Sequence, residues 1–469
     1  MEPNRIFIPL LLTLILGACS KQKERANTSY AHIEQRIDSV AKDFIDGGKV
    51  KGLSIAVLSN GKTIYNKGFG FMDSSEVKPV TNQSVFLMAS ISKLIGSVVV
   101  MKLVEEGRLK LDQTLYELLP DFPNEKQAKK ISLRSMLSHT SGLQDYASEI
   151  DTLFIKTGIA PSKEDFYNFF RERDLLFEPG EDYSYCNSGF LLMSMIIERI
   201  TGNSYQSEID RVVNLPAGLN LKLIAETVDN PNTSTYFELT NAGLEPRPHW
   251  TWIKGDGGLT TTSLDLAHFP SKWNSGSIIS HESVKEMIKP TILNDGVETG
   301  YGLGVRSGIF AGLKMIGHTG GNKSLLSKMV YFPEKDITIV VFVNTDNTSS
   351  NARSVFGEVA LTILDEEVPD YSEDEIIGEH LKIYEGVYDY KGYKFDTNIS
   401  IMLNPEDSHL YYCSSETECE KMYNLGNGEF WIEKWPLDKI VFDITDTGVV
   451  RALREYYIGY YVMLRKKKG

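Results

Sequence analysis

Residues 85–103 carry the sequence VFLMASISKLIGSVVVMKL, in which an apolar run leads to a serine and a lysine three positions apart. Apolar residues then recur at the spacing of a helix. On a helix, Ser90 and Lys93 lie one turn apart on the same face, and the helix N-terminus favours developing negative charge. A neutral amine there can accept the serine proton. The stretch therefore predicts Ser90 as a nucleophile; the alternative is a plain helix cap beside a surface lysine.

The spacing alone is not decisive, because Ser-x-x-Lys occurs five times, starting at Ser20, Ser39, Ser59, Ser75 and Ser90. The first lies in a polar segment near the N-terminus, the second in the middle of a predicted helix, the third across a predicted hairpin turn and the fourth in a polar loop. Only Ser90 follows an apolar run and begins a new helix. Context therefore favours Ser90.

Two further motifs suit the same chemistry. Tyr185-Cys186-Asn187 is the only Tyr-x-Asn in the chain and follows Phe177-Glu178-Pro179-Gly180, which predicts a turn. A phenol beside a lysine can move a proton, and an asparagine can hold a substrate amide. Gly317-His318-Thr319-Gly320-Gly321 ends a predicted strand. Glycines there let a substrate approach the backbone, and an N–H at the strand edge can serve an oxyanion hole.

Together, in this order and at this wide spacing, the three motifs resemble those of the serine β-lactamase and penicillin-binding-protein superfamily. The similarity is greatest to the branch of class C β-lactamases, D-alanyl-D-alanine carboxypeptidases and esterases. Three supporting segments agree with this resemblance, at 137–143, 257–261 and 301–304. The resemblance covers roughly residues 31–365, and the joint pattern is specific although each motif is weak.

The resemblance implies roles for individual residues. Ser90 attacks the carbonyl and becomes acylated, while Lys93 and Tyr185 share the work of base and of proton delivery to the leaving group. The backbone N–H groups of Ser90 and Gly321 form the oxyanion hole. No metal and no organic cofactor is implied.

The resemblance also implies that Asn187, His318, Thr319 and Gly320 bind the substrate, Asn187 through its amide. His318 stands where a lysine is usual, and histidine is charged only below about pH 6.5. A permanent cation would favour free carboxylates, so the change argues against β-lactam hydrolysis and strict carboxypeptidase activity. Cys186 replaces the usual serine, and we expect a quiet substitution unless its thiol lies near the site and is open to alkylation.

The order of the elements predicts an α+β (α/β) fold. Predicted strands pair across Asn60-Gly61, a strong hairpin signal, and three more follow at 313–318, 325–332 and 337–344. The section from 90 to 290 reads mostly as helix and loop, and helices are predicted near 31–47 and 350–364. The expected core is a β-lactamase-like antiparallel sheet flanked by helices, with a helical subdomain.

A composition change divides the chain. Residues 365–380 contain eight acidic residues and no lysine or arginine, which predicts a solvated linker at 366–380 after a hydrolase domain at 31–365. Short strand-like runs then predict a small all-β barrel at 381–469; they lie at 383–388, 399–403, 410–413, 429–435, 439–444 and 460–464. This part resembles the lipocalin-like domain often appended to such hydrolases. Cys413 and Cys419 suit a disulfide across neighbouring strands.

The N-terminus predicts export. Arg5 precedes an apolar run of 11 residues, Ile6–Leu16, which is too short to span a bilayer. Leu16-Gly17-Ala18-Cys19 resembles a bacterial lipobox, which implies a signal peptide at 1–18, lipid on Cys19 and a tether at 19–30. The alternative is an ordinary signal peptide. We expect an envelope protein anchored by lipid at the periplasmic or outer-membrane face.

The predicted function is that of a serine hydrolase acting through an acyl-enzyme on an amide, peptide or ester outside the cytoplasm, with D-residue peptides or esters as leading substrates. One alternative is a catalytically silent binding or sensor protein; another is a barrel that docks a partner.

The net charge of −14 argues against binding to nucleic acid. His139 is expected to be structural, Trp250 and Trp252 either line a rim or pack, and the oligomeric state stays open.

Overall fold

The computed structural model describes residues 31–467 except 49, 172, 323, 347–351, 367–377, 393–394, 416 and 436. The predicted signal peptide and tether, with Cys19, and most of the predicted acidic linker therefore lie outside the described residues. Within the described part, no helix is long and apolar enough to cross a membrane.

An antiparallel sheet of six strands forms the centre of the first domain. In spatial order its strands are Lys62–Gly70, Gly52–Ser59, Ile337–Val343, Leu325–Phe332, Leu313–Asn322 and Arg306–Phe310. Every residue of Ile337–Val343 is buried, because helices cover both faces of the sheet. Helices 31–46 and Ala352–Leu364 pack on one face, and Ser263–Asn274 packs on the other. The predicted antiparallel sheet between helices is confirmed, with one edge strand, Arg306–Phe310, that the sequence did not reveal.

Helices dominate the section between the two halves of the sheet, as expected. The α-helices here are Ser92–Glu105, Leu115–Leu118, Glu125–Ala128, Leu133–Leu137, Ala147–Thr157, Lys163–Arg171, Ser188–Thr201, Tyr205–Ile209, Leu215–Ala217, Ile224–Thr227, Ser263–Asn274 and His281–Ile288. Two small sheets accompany them. Their strands are Phe86–Leu87, Leu259–Thr261 and Lys222–Leu223, and Thr345–Asp346, Tyr236–Thr240 and Gly243–Arg247.

The C-terminal part is a closed barrel of eight strands, which confirms the predicted all-β domain. The strands are Gly386–Gly392, Phe395–Leu403, Leu410–Cys413, Cys419–Gly426, Glu429–Trp431, Lys439–Ile444, Val450–Tyr457 and Tyr460–Lys466. Tyr388, Phe430 and Phe442 pack together in its interior, and eight strands give a barrel that side chains can fill. Cys413 and Cys419 lie opposite each other on paired strands and form a disulfide, which the sequence suited but could not establish.

The barrel packs directly on the edge strand of the central sheet. The Ile309 N–H donates to the Gly459 carbonyl at 3.1 Å. A Cβ on Gly308 would lie 1.8 Å from the same oxygen, so only glycine allows this approach. Tyr460 enters the core between sheet and helices, and Lys328 Nζ donates to the Ile458 carbonyl at 3.0 Å. The turn at 458–459 is therefore part of the packing of the first domain.

Candidate active site

Ser90 lies on a tight turn that opens the buried helix. The 3-10 turn Ala89–Ile91 runs into the helix Ser92–Glu105, and Ala89 has a φ of 46°, a left-handed conformation that is uncommon for residues with a Cβ. Neighbouring strands hold the turn: Ser327 Oγ donates to the Met88 carbonyl at 2.8 Å. The strained turn thus presents the Ser90 hydroxyl at the N-terminal end of a helix.

Lys93 is fully buried directly behind the serine. Its Nζ lies 2.9 Å from Ser90 Oγ, 2.7 Å from Asn187 Oδ1 and 2.5 Å from the Asp256 carbonyl oxygen. An ammonium has three protons to donate, and here three acceptors surround it. The two acceptors other than Ser90 are suited to hold the ammonium after the amine takes the serine proton. Among the Ser-x-x-Lys pairs in the described residues, Ser90 and Lys93 make the contact between hydroxyl and amine that activation of the nucleophile requires.

Asn187 joins this group from the start of the helix Ser188–Thr201. Its backbone N–H donates to Asp145 Oδ2, and its side-chain Nδ2 lies 3.4 Å from Asp145 Oδ1. The amide is therefore oriented with its oxygen toward Lys93. Burial raises the pKa of the Asp145 carboxyl to about 6, although the Asn187 N–H opposes this shift.

Tyr185 lies above the lysine, with its ring centroid 5.1 Å from Lys93 Nζ. The imidazole of His139 packs against the ring at 4.2 Å between centroids. His139 itself is fixed because its Nδ1 accepts the Cys186 N–H at 3.0 Å. This hydrogen bond agrees with the structural role expected for His139.

His318 lies on the strand Leu313–Asn322 and is almost fully buried. Its Nδ1 donates to the Thr319 carbonyl, so Nε2 accepts the Tyr301 hydroxyl at 2.8 Å. Burial, together with the positive charge of Arg306, holds the pKa of His318 well below its usual range. Position 318 therefore carries a neutral imidazole at neutral pH.

Gly320 and Gly321 bring this strand against the nucleophile turn. A Cβ on Gly320 would lie 2.3 Å from the Met88 carbonyl oxygen and 2.9 Å from the Ser90 nitrogen, so the close approach requires glycine. Gly321 lines the cleft together with Ser90. The two predicted oxyanion donors therefore border the same space, and Thr319 follows His318 on the same strand.

A cleft opens beside Ser90. Residues from distant parts of the chain line it: Leu87, Ala89, Ser90, Tyr146, Ala147, Asp151, Asn187, Trp250, Ile253, Asp256, Gly257 and Gly321. Trp250 thus lines the cleft, which was one of the two alternatives that the sequence left open for it. Trp252 packs against Tyr146, Phe154 and Phe166 instead.

The comparisons with known proteins agree with this geometry. The family model described as Beta-lactamase matches residues 37–362. The chain belongs to the Beta-lactamase family. Penicillin-binding protein 4* of Bacillus subtilis is 26% identical over 325 residues, which cover 64% of this chain and 70% of that protein. The D-aminopeptidase of Brucella canis is 25% identical over 324 residues, covering 67% and 60%. The chain thus spans 60–70% of the length of these relatives.

Among solved structures, the octameric penicillin-binding protein homologue from Pyrococcus abyssi aligns with a TM-score of 0.65 and 23% identity. The alignment covers 92% of this chain and 99% of that one, and at this identity it shows the fold alone. Membership of the Beta-lactamase family and the D-aminopeptidase relative support a serine hydrolase. The structure brings the predicted serine, lysine, tyrosine and asparagine of this family member into one cluster.

Four residues of this Beta-lactamase-family site have no role assigned by the sequence analysis, although one of them, Tyr301, lies in a supporting segment. Asp145 and Asp256 hold Asn187 and Lys93, Tyr301 holds His318, and Arg306 lies over the Tyr185 and Tyr301 rings at 5.8 and 5.1 Å. Asp256 precedes Gly257-Gly258, and Tyr301 begins the segment 301–304, both of which had been singled out. These two segments could have pointed to Asp256 and Tyr301 from the sequence. No sequence motif pointed to Asp145 or Arg306.

Cys186 is buried and does not line the cleft. Burial raises the pKa of its thiol to about 12, so the thiolate needed for alkylation is scarce at neutral pH. The expected quiet substitution therefore fits the structure, and the alternative of a reactive thiol does not. The described residues contain no group of three or more His, Cys, Asp or Glu suited to hold a metal ion.

Proposed function

We propose that this protein is a serine hydrolase that forms an acyl-enzyme on Ser90 and cleaves amide or peptide bonds of D-residue substrates. The observation that carries the proposal is the fully buried Lys93, whose Nζ lies 2.9 Å from Ser90 Oγ. A buried amine is costly unless it is fully hydrogen-bonded, and here one of its partners is the hydroxyl at the mouth of a cleft.

The geometry supports a sequence of proton movements. Neutral Lys93 accepts the Ser90 proton while Oγ forms a bond to the substrate carbonyl carbon. The Ser90 and Gly321 N–H groups stabilise the resulting oxyanion. The C–N bond breaks as the proton returns from Lys93, through Tyr185, to the leaving amine. Water then attacks the acyl-enzyme with the same base, which releases the acid and restores Ser90.

A silent binding protein is the competing function. It would have no need for an amine buried against a strained serine turn, because both features reduce stability without aiding ligand affinity. D-residue substrates are favoured because the D-aminopeptidase of Brucella canis is among the relatives. The neutral His318 supports the expectation that efficient β-lactam hydrolysis is absent.

The test is intact-mass measurement after incubation with a fluorophosphonate and, separately, with a penicillin. We expect a single fluorophosphonate adduct on the wild type that is lost in Ser90→Ala and retained in Ser59→Ala. The second variant is a matched control, since it removes the serine of another Ser-x-x-Lys. No adduct on folded wild-type protein would contradict the hydrolase and favour the binding protein.

We also propose that the protein is anchored in the cell envelope by lipid on Cys19, on the basis of Leu16-Gly17-Ala18-Cys19. Cys19→Ala should move the expressed protein from the membrane fraction to the soluble fraction. A wild-type protein whose mass lacks the lipid would contradict this proposal and leave an ordinary signal peptide.

A further inference from the structure

Neither the backbone nor the packing requires a glycine at position 257. Its φ does not lie in the left-handed region that favours glycine. A Cβ on Gly257 would lie 3.6 Å from Ile253 Cγ2 and 3.7 Å from the Ala89 carbonyl carbon, which are ordinary van der Waals distances. The next residue differs, because a Cβ on Gly258 would lie 1.9 Å from the Ile253 carbonyl oxygen. Packing therefore requires Gly258, whereas a methyl group fits at Gly257.

Gly257 borders the reacting centre. The Ala89 carbonyl carbon, 3.7 Å from the Cβ position of Gly257, is bonded to the nitrogen of Ser90, which is one of the two expected oxyanion donors. Gly257 and Ser90 also line the same cleft. A substrate whose carbonyl oxygen accepts from the Ser90 N–H therefore brings the next carbon, with its side chain, close to Gly257.

The wall that carries Gly257 is held against the nucleophile turn. The carbonyl of the preceding residue, Asp256, accepts Lys93 Nζ at 2.5 Å. Two residues further on, the Leu259 carbonyl accepts the Met88 N–H at 2.7 Å. Because the wall is fixed on both sides of Gly257, it cannot readily move aside for a larger ligand. The size of residue 257 should therefore decide how much room the ligand has.

Tyr185 indicates which part of the substrate lies in the cleft. In the proposed mechanism it delivers the proton to the leaving group. It lies above Lys93 and is not among the described residues that line the cleft. The cleft is therefore assigned to the acyl part of the substrate. Its apolar lining, which favours an apolar side chain, consists of Leu87, Ala89, Tyr146, Ala147, Trp250 and Ile253.

We propose that Gly257 is a specificity-determining residue that leaves room, between Ala89 and Ile253, for the apolar side chain of the residue whose carbonyl Ser90 attacks. This inference rests on the proposed function and concerns the size of the acyl residue. With glycine at position 257, the cleft admits a side chain larger than the methyl group of alanine. A methyl group at position 257 occupies that space itself.

The experiment compares D-leucine p-nitroanilide with D-alanine p-nitroanilide, which differ only in the side chain. The wild type should have the higher kcat/KM for the D-leucine compound. Gly257→Ala should lower the ratio of the D-leucine to the D-alanine kcat/KM by about tenfold, the effect of one methyl group in an apolar pocket. Gly357→Ala is the matched control and should keep the ratio, since it adds the same methyl in the helix Ala352–Leu364, against the end of the Leu437 side chain.

A double variant distinguishes lost room from a disturbed wall. Ile253→Ala shortens the side chain nearest to the added methyl, so Gly257→Ala/Ile253→Ala should recover the cleavage of D-leucine relative to D-alanine. Fluorophosphonate should still label Ser90 in Gly257→Ala. Loss of this label, an equal loss on both anilides, or no recovery in the double variant would overturn the proposal. A higher wild-type kcat/KM for the D-alanine compound would overturn it as well.

Failure of the proposed function has a separate signature. If the wild type cleaves neither anilide and forms no fluorophosphonate adduct, calorimetric titration with D-leucinamide and D-alaninamide still tests the space beside Gly257. Tighter binding of D-leucinamide, lost in Gly257→Ala and kept in Gly357→Ala, would support this subsite in a silent protein. Equal binding of the two amides, or no binding of either, would contradict it.

Discussion

Two regions of this molecule each contain a fully buried lysine, and they differ in what surrounds the amine. Lys93 lies directly behind Ser90, and Ser90 lines a cleft. Lys328 lies at the junction with the barrel, where its Nζ is 4.2 Å from the centre of the Phe356 ring and 5.1 Å from that of Tyr460. Each donates to a backbone carbonyl, of Asp256 and Ile458 respectively. Burial of an amine therefore does not by itself mark a catalytic site; an adjacent nucleophile and an open cleft do.

The junction between the barrel and the first domain is nevertheless linked to the active site by a chain of contacts. Arg306 Nη1 donates to the Tyr461 carbonyl of the barrel at 3.3 Å, while its guanidinium lies over the Tyr185 and Tyr301 rings. Tyr461 also donates to Glu298 at 2.8 Å. The cleft region thus contains the nucleophile, and the junction region holds the aromatic residues beside it.

The largest expected difference is between Lys93→Met and Lys328→Met. The first removes the proton acceptor and should lower kcat by about 10³-fold or more. The second leaves the Ile458 carbonyl without its donor and should lower the free energy of unfolding by about 1–3 kcal/mol, with kcat within a few fold of wild type. Thermal melts and steady-state kinetics on both variants check this. Equal losses of kcat would erase the distinction between the two regions.

A smaller effect should follow from loosening the junction. Gly308→Val places its Cβ against the Gly459 carbonyl oxygen and should separate the barrel turn from the edge strand. We expect kcat to fall by about tenfold, since small displacements of positioning residues are enough for this, with fluorophosphonate still labelling Ser90. Ile309→Ala, which shortens an exposed side chain on the same strand, is the control. Wild-type kcat in folded Gly308→Val would show that the barrel does not support the site.

The smallest effect concerns pH. Burial lowers the pKa of both His139 and His318. Below about pH 6.5 the unfolded state therefore binds more protons than the folded state, and the free energy of unfolding decreases as the pH decreases. Asp145 works in the opposite direction, because its raised pKa of about 6 makes the folded state bind the extra proton. His318→Gln should therefore flatten the decrease in unfolding free energy between pH 6.5 and 5, measured by urea titration. An unchanged slope would mean that His318 is already protonated in the folded protein.

Several elements followed from local pattern alone. The strands Leu410–Cys413 and Lys439–Ile444 have the predicted bounds, because each is a short run rich in aromatic or β-branched residues. The edge strand Arg306–Phe310 was missed because its sequence, RSGIF, contains a glycine and begins with two polar residues, so it has no such run. The strand Cys419–Gly426 was missed as well, since a buried asparagine, Asn424, interrupts its apolar face. The predicted strand at 383–388 was wrong at its start, where the 3-10 helix Glu379–Tyr384 precedes Gly386–Gly392.

What the sequence determined by itself was the chemistry along one helix turn. Ser90 and Lys93 are three residues apart, and helical geometry brings such residues together wherever the helix lies. The tertiary structure alone decided the rest of the site, because Asp256 is 163 positions from Lys93 and Tyr461 is 155 from Arg306. No periodicity links residues so far apart, and their contacts exist only because the sheet, the helices and the barrel pack against one another. Proximity within a turn is a property of the backbone, whereas the charge and shape of the cleft are properties of the packed fold.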